Sequence, residues 1–215
     1  MIPGVRLLPA SERRWTRWRN DGGATAQVAA RPADASVDSF DWRVSIAEIE
    51  ESGAFSTFAG VDRVLTALHG VGPVADPGLV LVVDGVEHQV PPNEPFAFSG
   101  DSTTNCRVSR PPMRDLNVMT RRGSWHAVVR IHTLDRGPVI VGVPITAGST
   151  TVVVVLTGQV ELAGPHASAL LGEHDALVTV DEEGVELLPA DGSGAPPPRV
   201  ALIRLDPVAG SSAVS

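Results

Sequence analysis

A chain of 215 residues, 43% of them hydrophobic, can bury a substantial core in one large domain or two small ones, which excludes a disordered polymer. Its net charge of -8 and pI near 5.2 argue against a nucleic-acid surface, which needs a basic face. The single cysteine, Cys106, excludes an intrachain disulfide and lacks the local motif of a catalytic nucleophile.

The N-terminal MIPGVRLLPASERR has no long apolar run behind its charge, and the longest apolar run, Val152 to Leu156, is too short to span a bilayer. Both point to a soluble, cytoplasmic protein. Residues 5 to 30 read as strand, loop and strand, with Asn20-Asp21-Gly22-Gly23 as a tight turn. A polar loop over residues 31–41 leads to a strand in which Trp42, Val44 and Ile46 point one way and Arg43, Ser45 and Ala47 the other. Ser52-Gly53 marks a turn. Residues 61–72 read as a strand followed by a turn, with His69 solvated in that turn. Asp84-Gly85 between the apolar runs Leu79 to Val83 and Val86 to Val90 is a hairpin signal. A proline-rich link then leads to Phe96-Ala97-Phe98-Ser99-Gly100-Asp101.

Asp115 to Met119 alternates polar with apolar, and Arg121-Arg122-Gly123 reads as a solvated edge or an oligomer contact. The strand Trp125 to Thr133 puts Trp125, Ala127, Val129 and Ile131 on a core face. The second half shows a similar design, with an apolar run over Val152 to Leu156, a turn at Thr157-Gly158 and a return over Gln159 to Leu162. The glycines Gly85 and Gly158 lie 73 residues apart (158 − 85), which suggests a duplicated β unit. A strand over Ala176 to Val180, a Gly/Pro-rich loop over 191–199, a last strand from Val200 to Leu205 and a frayed end close the chain. Many short strands separated by Gly, Pro and Asp turns define an all-β sandwich or barrel.

Four segments, WRVSIAEI (42–49), GAFSTFAGVDR (53–63), PFAFSGD (95–101) and DLNVMTRRG (115–123), resemble successive signatures of the HutD/Ves family, bicupin proteins linked to histidine utilisation. Residues 18–25 resemble that family's Trp-Lys-Asn-Gly-Gly-Gly-x-Thr pattern, with Arg19 for the lysine and Asp21 for a glycine. Gln27 stands where the family usually has a glutamate. The resemblance implies an all-β bicupin, two jelly-roll (RmlC-like) barrels in one unit over 1–215. Residues 5–133 would carry the family motifs, and 134–215 would form a second cupin-like half.

Metal-binding cupins show a His-x-His pair, a following Glu and a distant His. None of the six histidines forms His-x-His, and His126 and His132 stand roughly 20 Å apart on an extended strand. His88 sits near Glu94 but has no second histidine close to it, and His166 and His174 lack a matching carboxylate pattern. No metal and no cofactor is expected. There is also no Gly-x-Ser-x-Gly elbow and no P-loop.

What remains is a polar set within the family-like segments: Asn20, Thr25, Ser45, Ser56, Asp62, Arg63, Asp101 and Asn117. An arginine beside hydroxyl and amide groups suits a small carboxylate. The same residues admit plainer roles. Asp62 and Arg63 could stabilise a turn, Asp101 could cap a hairpin, and Asn117 could satisfy buried backbone groups.

The resemblance implies a non-enzymatic, carboxylate-binding modulator of histidine utilisation. Formylglutamate, formiminoglutamate and urocanate are its candidate ligands. Arg63 would grip the carboxylate, Asn20, Thr25 and Ser45 would hydrogen-bond, and Phe58 would form an apolar wall. Partners would be the acid alone or a second copy in a homodimer, with no nucleic acid and no membrane. The rival reading is a metal-independent cupin isomerase or hydrolase acting on a small acid, with Asp62 or a histidine as its acid-base group. A third makes the second barrel an assembly surface.

Overall fold

The computed structural model describes residues 5–68, 79–135, 137–141, 148–164, 168–179, 185–190 and 196–209. His69, His166, Val180, residues 191–195 and the last five residues, assigned above from sequence, lie outside the described residues. In chain order the strands are β1 (Val5–Leu8), β2 (Trp15–Arg17), β3 (Gly23–Arg31), β4 (Trp42–Ile49), β5 (Gly53–Ala54), β6 (Val61–Ala67), β7 (Leu79–Val83), β8 (Val86–Val90), β9 (Pro95–Ser99) and β10 (Thr104–Val108). They continue with β11 (Met113–Arg121), β12 (Trp125–Thr133), β13 (Val139–Val141), β14 (Thr150–Thr157), β15 (Val160–Ala163), β16 (Ser168–Leu171), β17 (Ala176–Thr179), β18 (Val185–Pro189) and β19 (Arg199–Pro207). No helix among the described residues is long and apolar enough to cross a membrane.

Two compact units result: Arg14–Ala127, and Val128–Ala209 together with β1. In the first unit the sheets run β2-β3-β4-β11-β6-β9 and β5-β10-β7-β8. In the second they run β1-β17-β14-β19-β12 and β13-β18-β15-β16. Numbering the eight strands from β4, and again from β12, gives one order twice: first, eighth, third, sixth in one sheet and second, seventh, fourth, fifth in the other. That order is a jelly roll.

The duplication is therefore real, but the glycine pair that suggested it is mismatched. Asp84-Gly85 makes the predicted hairpin, with φ of 49° and 83° and β7 paired to β8. Gly158, at φ 77°, turns a corner instead: β14 belongs to one sheet of its unit and β15 to the other. A Cβ there would stand 2.9 Å from Pro198 Cβ, so the corner requires glycine by space as well as by φ. β15–β16 is the counterpart of the β7–β8 hairpin. β10 carries little sequence signal because exposed Asn105 and Arg107 alternate with buried Thr104 and Cys106 in a run that is short and largely polar.

The two interiors differ in kind. In the second unit Val153, Val155, Val160, Leu162, Leu177, Leu187 and Val200 make a continuous aliphatic core. In the first unit the core of Ile49, Leu65, Leu79, Leu81, Val90, Cys106 and Met113 fills only part of the space between the sheets. Burial raises the Cys106 thiol above its ordinary pKa and leaves it a packing residue. The rest of that space is a cavity lined by both polar and apolar side chains.

Candidate functional site: a polar cavity in the first jelly roll

A cavity of about 710 Å³ opens in the first unit. Its floor follows from the period of two in β4, β6 and β11, the three central strands. Cross-strand register sets Arg43, Met119 and Arg63 on one rung, Ser45, Asn117 and Leu65 on the next, and Ala47, Asp115 and Ala67 on the third. Two guanidinium groups thus occupy one end of the floor, a hydroxyl and an amide the middle, and a carboxyl group the other end. The wall is formed by Trp18, Asn20 and Thr25 from the β2–β3 turn and by Phe55, Ser56 and Phe58 after β5.

Arg63 is 5% exposed. Its guanidinium lies over the rings of Phe98, Phe55 and Phe58, at 4.8, 5.4 and 5.5 Å from their centroids. It donates one long hydrogen bond, 3.4 Å, to the Ser56 carbonyl, and its Nε has no partner among the described residues. Burial lowers its pKa to about 10, against the opposing pull of Asp115.

Asp115 is 2% exposed, and burial raises its pKa to about 7, with Arg63 pulling the other way. The two do not form an ion pair, and among the described residues Asp115 Oδ1 accepts no hydrogen bond. Ser45 Oγ and Asn117 Oδ1 are likewise buried without partners among the described residues. Four such atoms on one floor are unusual, because buried polar groups are normally paired.

The turn that carries Trp18 and Asn20 is set by close packing. A Cβ on Gly23 would stand 2.3 Å from the Glu48 carbonyl. Trp18 Nε1 donates to Thr25 Oγ1 at 2.7 Å, and the Gly22 amide donates to Asn20 Oδ1 at 3.3 Å. Asp21, where the resemblance expects glycine, takes φ 57° and points into solvent, a conformation that aspartate tolerates. Gln27 accepts a 3.2 Å hydrogen bond from Arg43.

Seven residues singled out in the sequence, Asn20, Thr25, Ser45, Ser56, Phe58, Arg63 and Asn117, line this cavity. Asp62 and Asp101 do not. Arg63 faces inward, so its strand neighbour Asp62 must face outward. There Arg122 joins Asp62 and Asp101, at 2.7 Å to each. Asp101 also accepts from the Gly60 amide at 3.0 Å and from Ser99 at 2.9 Å. These bonds, that of Gly60 first, lower its pKa to about 2. The cluster locks the turns beside β6, the plainer role allowed above. Asp101→Ala should therefore lower Tm by a few degrees at neutral pH. A carboxylate with a depressed pKa stabilises above its unfolded value and loses that effect as pH falls from about 4 towards 2. The variant should have a shallower acid limb than wild type, measurable by thermal melts across that range.

The residues missed in the sequence are Arg43, Phe55, Phe98, Asp115 and Met119. The signal for three of them was present: stepping two residues from Ser45 gives Arg43, and stepping two from Asn117 gives Asp115 and Met119. A divalent metal does not fit this lining. The described lining residues include Asp38 and Asp115 but no histidine, and Arg43 and Arg63 repel a dication. Among the described residues no group of three or more His, Cys, Asp or Glu could hold an ion.

Two jelly rolls, the first of them holding a cavity of small-molecule size, define a cupin-type protein. The chain belongs to the HutD family, whose match spans residues 10–195. It is similar to HutD from Pseudomonas fluorescens, solved in a formate condition, at 30% identity and a TM-score of 0.74 over 95% of this chain and 99% of that one. It is 41% identical to protein Ves of Citrobacter koseri over 59% of this chain, and 40% identical over 54% of this chain to a 21.2 kDa Pseudomonas putida protein described as lying in the hutC 3' region. The matched region spans 61% and 57% of the lengths of those two relatives.

Proposed function

We propose that the first jelly roll binds a small carboxylate in the cytoplasm, and that the protein acts through this binding as a modulator of histidine utilisation. The observation that carries the reading is the buried Arg63 guanidinium. It faces the cavity, ringed by three phenylalanines and without an ion-pair partner among the described residues. A buried cation is costly unless an anion meets it, and a carboxylate matches its two-pronged geometry. Ser45 and Asn117, one rung away, offer the remaining hydrogen bonds. The family's name and the hutC neighbourhood of one relative favour acids of histidine breakdown, namely formylglutamate, formiminoglutamate and urocanate.

A thermal-shift screen of the chelator-treated protein tests this. A bound acid should stabilise the fold by about 2.7 kcal/mol at a hundredfold excess over its Kd. Divalent metals should give no shift, and a shift with metal alone would reverse the reading. The second reading, an acid-base enzyme, would now use Asp115 in place of Asp62, because a carboxyl group with a pKa of about 7 suits proton transfer. A bell-shaped pH-rate profile on any of these acids, abolished by Asp115→Asn, would favour it.

A further inference from the structure

Asp115 is the one carboxyl group on the cavity floor, and its surroundings are unsuited to a charge. Its rung partners are Ala47 and Ala67, which offer no side-chain donor. No described residue donates a hydrogen bond to it, and Oδ1 is fully buried. The charged or titratable groups that face it are few. Arg63 comes from β6 and is held by its three rings; Cys106 comes from β10. Arg43 of β4 and Arg63 both lie on the Met119 rung, but Arg43 bonds Gln27, and only the Arg63 charge is felt at Asp115. Arg17, paired with Glu50, as well as Arg19 and Asp38, also line the cavity. Among the described residues, Arg63 is therefore the one cation whose charge reaches Asp115, and it forms with Arg43 the cationic end of the floor that a bound anion would meet.

We propose that the cavity takes its acid together with a proton: Arg63 holds the ligand's carboxylate, and Asp115, as a neutral carboxyl group, donates a hydrogen bond to an acceptor on the same ligand. This rests on the carboxylate-binding reading and narrows it to a class. The ligand is an acid that also bears a neutral acceptor, an acyl oxygen or an unprotonated ring nitrogen, and carries no ammonium or amidinium group. An ionised Asp115 would select the opposite class. The titration of free Asp115 near 7 makes the proton uptake measurable at ordinary pH, since a bound anion pushes a neighbouring carboxyl group further up.

The experiment is calorimetric titration of the full chain with N-formylglutamate, whose own carboxylates stay ionised throughout. It is run in two buffers of different ionisation enthalpy, about one pH unit above and about one below the Asp115 titration. Expected above it is the uptake of close to one proton per ligand, and below it almost none. Affinity should fall about tenfold for each pH unit further above. Asp115→Asn, which keeps a donor, should bind with no proton uptake and no such slope. In the wild-type protein the infrared carbonyl band of a protonated carboxyl group should appear on binding at the higher pH, which does not depend on the variant folding. Binding with no proton uptake and no such band would overturn the inference while sparing the carboxylate reading. So would formiminoglutamate binding more tightly than N-formylglutamate as pH rises. Failure of every acid to bind would overturn the carboxylate reading itself, and the inference with it.

Discussion

Replacing Arg63 with methionine should remove most of the affinity for small carboxylates while leaving the free protein at least as stable as wild type. The two halves of this expectation have one cause. Burial makes the charged guanidinium expensive, as its lowered pKa records. For a basic group held below its unfolded pKa, the destabilisation is complete at every pH below about 10, so it applies throughout the physiological range. Methionine removes the charge, roughly fills the volume and keeps favourable sulfur contacts with Phe55, Phe58 and Phe98. Asp115 then loses its compensating cation and stays protonated to higher pH, so no unpaired charge is left behind at neutrality. Binding is another matter, because a desolvated charge pair that loses one partner costs roughly 2–4 kcal/mol, or about thirty- to several-hundredfold in Kd. Calorimetric titration and denaturant melts of the two proteins check both halves. Unchanged affinity would show that Arg63 is not the carboxylate anchor.

Much of the cavity was legible from alternation alone. Ser45, Arg63 and Asn117 were recognised in three separate segments, and register places Ser45 and Asn117 directly opposite each other. What misled was adjacency. Asp62 and Arg63 look like a pair in sequence, yet on a strand neighbours face opposite ways, and Asp62 ended in the exposed Arg122 cluster. Phe98 could not be found by any local rule, because it reaches Arg63 through the pairing of β6 with β9. The repeat was misjudged for a similar reason. A glycine turn after a run of valines looks the same whether the chain folds back on its own sheet or crosses to the other. Only long-range pairing decides, and it assigned β7 and β8 to one sheet but β14 and β15 to two.

The cavity should also leave a signature in the pH dependence of stability, opposite in sign to that of the surface cluster. Asp115 titrates near 7 in the fold against an ordinary value of 3.8, so between these values the native state binds more protons than the unfolded one. Stability then falls as pH rises through that window, and the loss is complete above it. Asp101, with its depressed pKa, acts the other way, and its contribution is lost only as pH falls below about 4. Asp115→Asn should match wild type near the acid end of the window, where the carboxyl group is neutral in both states. Above about pH 7 it should be more stable by on the order of 2–4 kcal/mol, the gap between the two pKa values setting the ceiling. Urea denaturation of both proteins across the window measures this directly. Such a gain would mean that Asp115 serves something other than folding, as the proposed recognition of a ligand acceptor requires. If the variant gains nothing above pH 7, Asp115 is ionised and compensated within the fold, and the proton-coupled mode of binding falls with it.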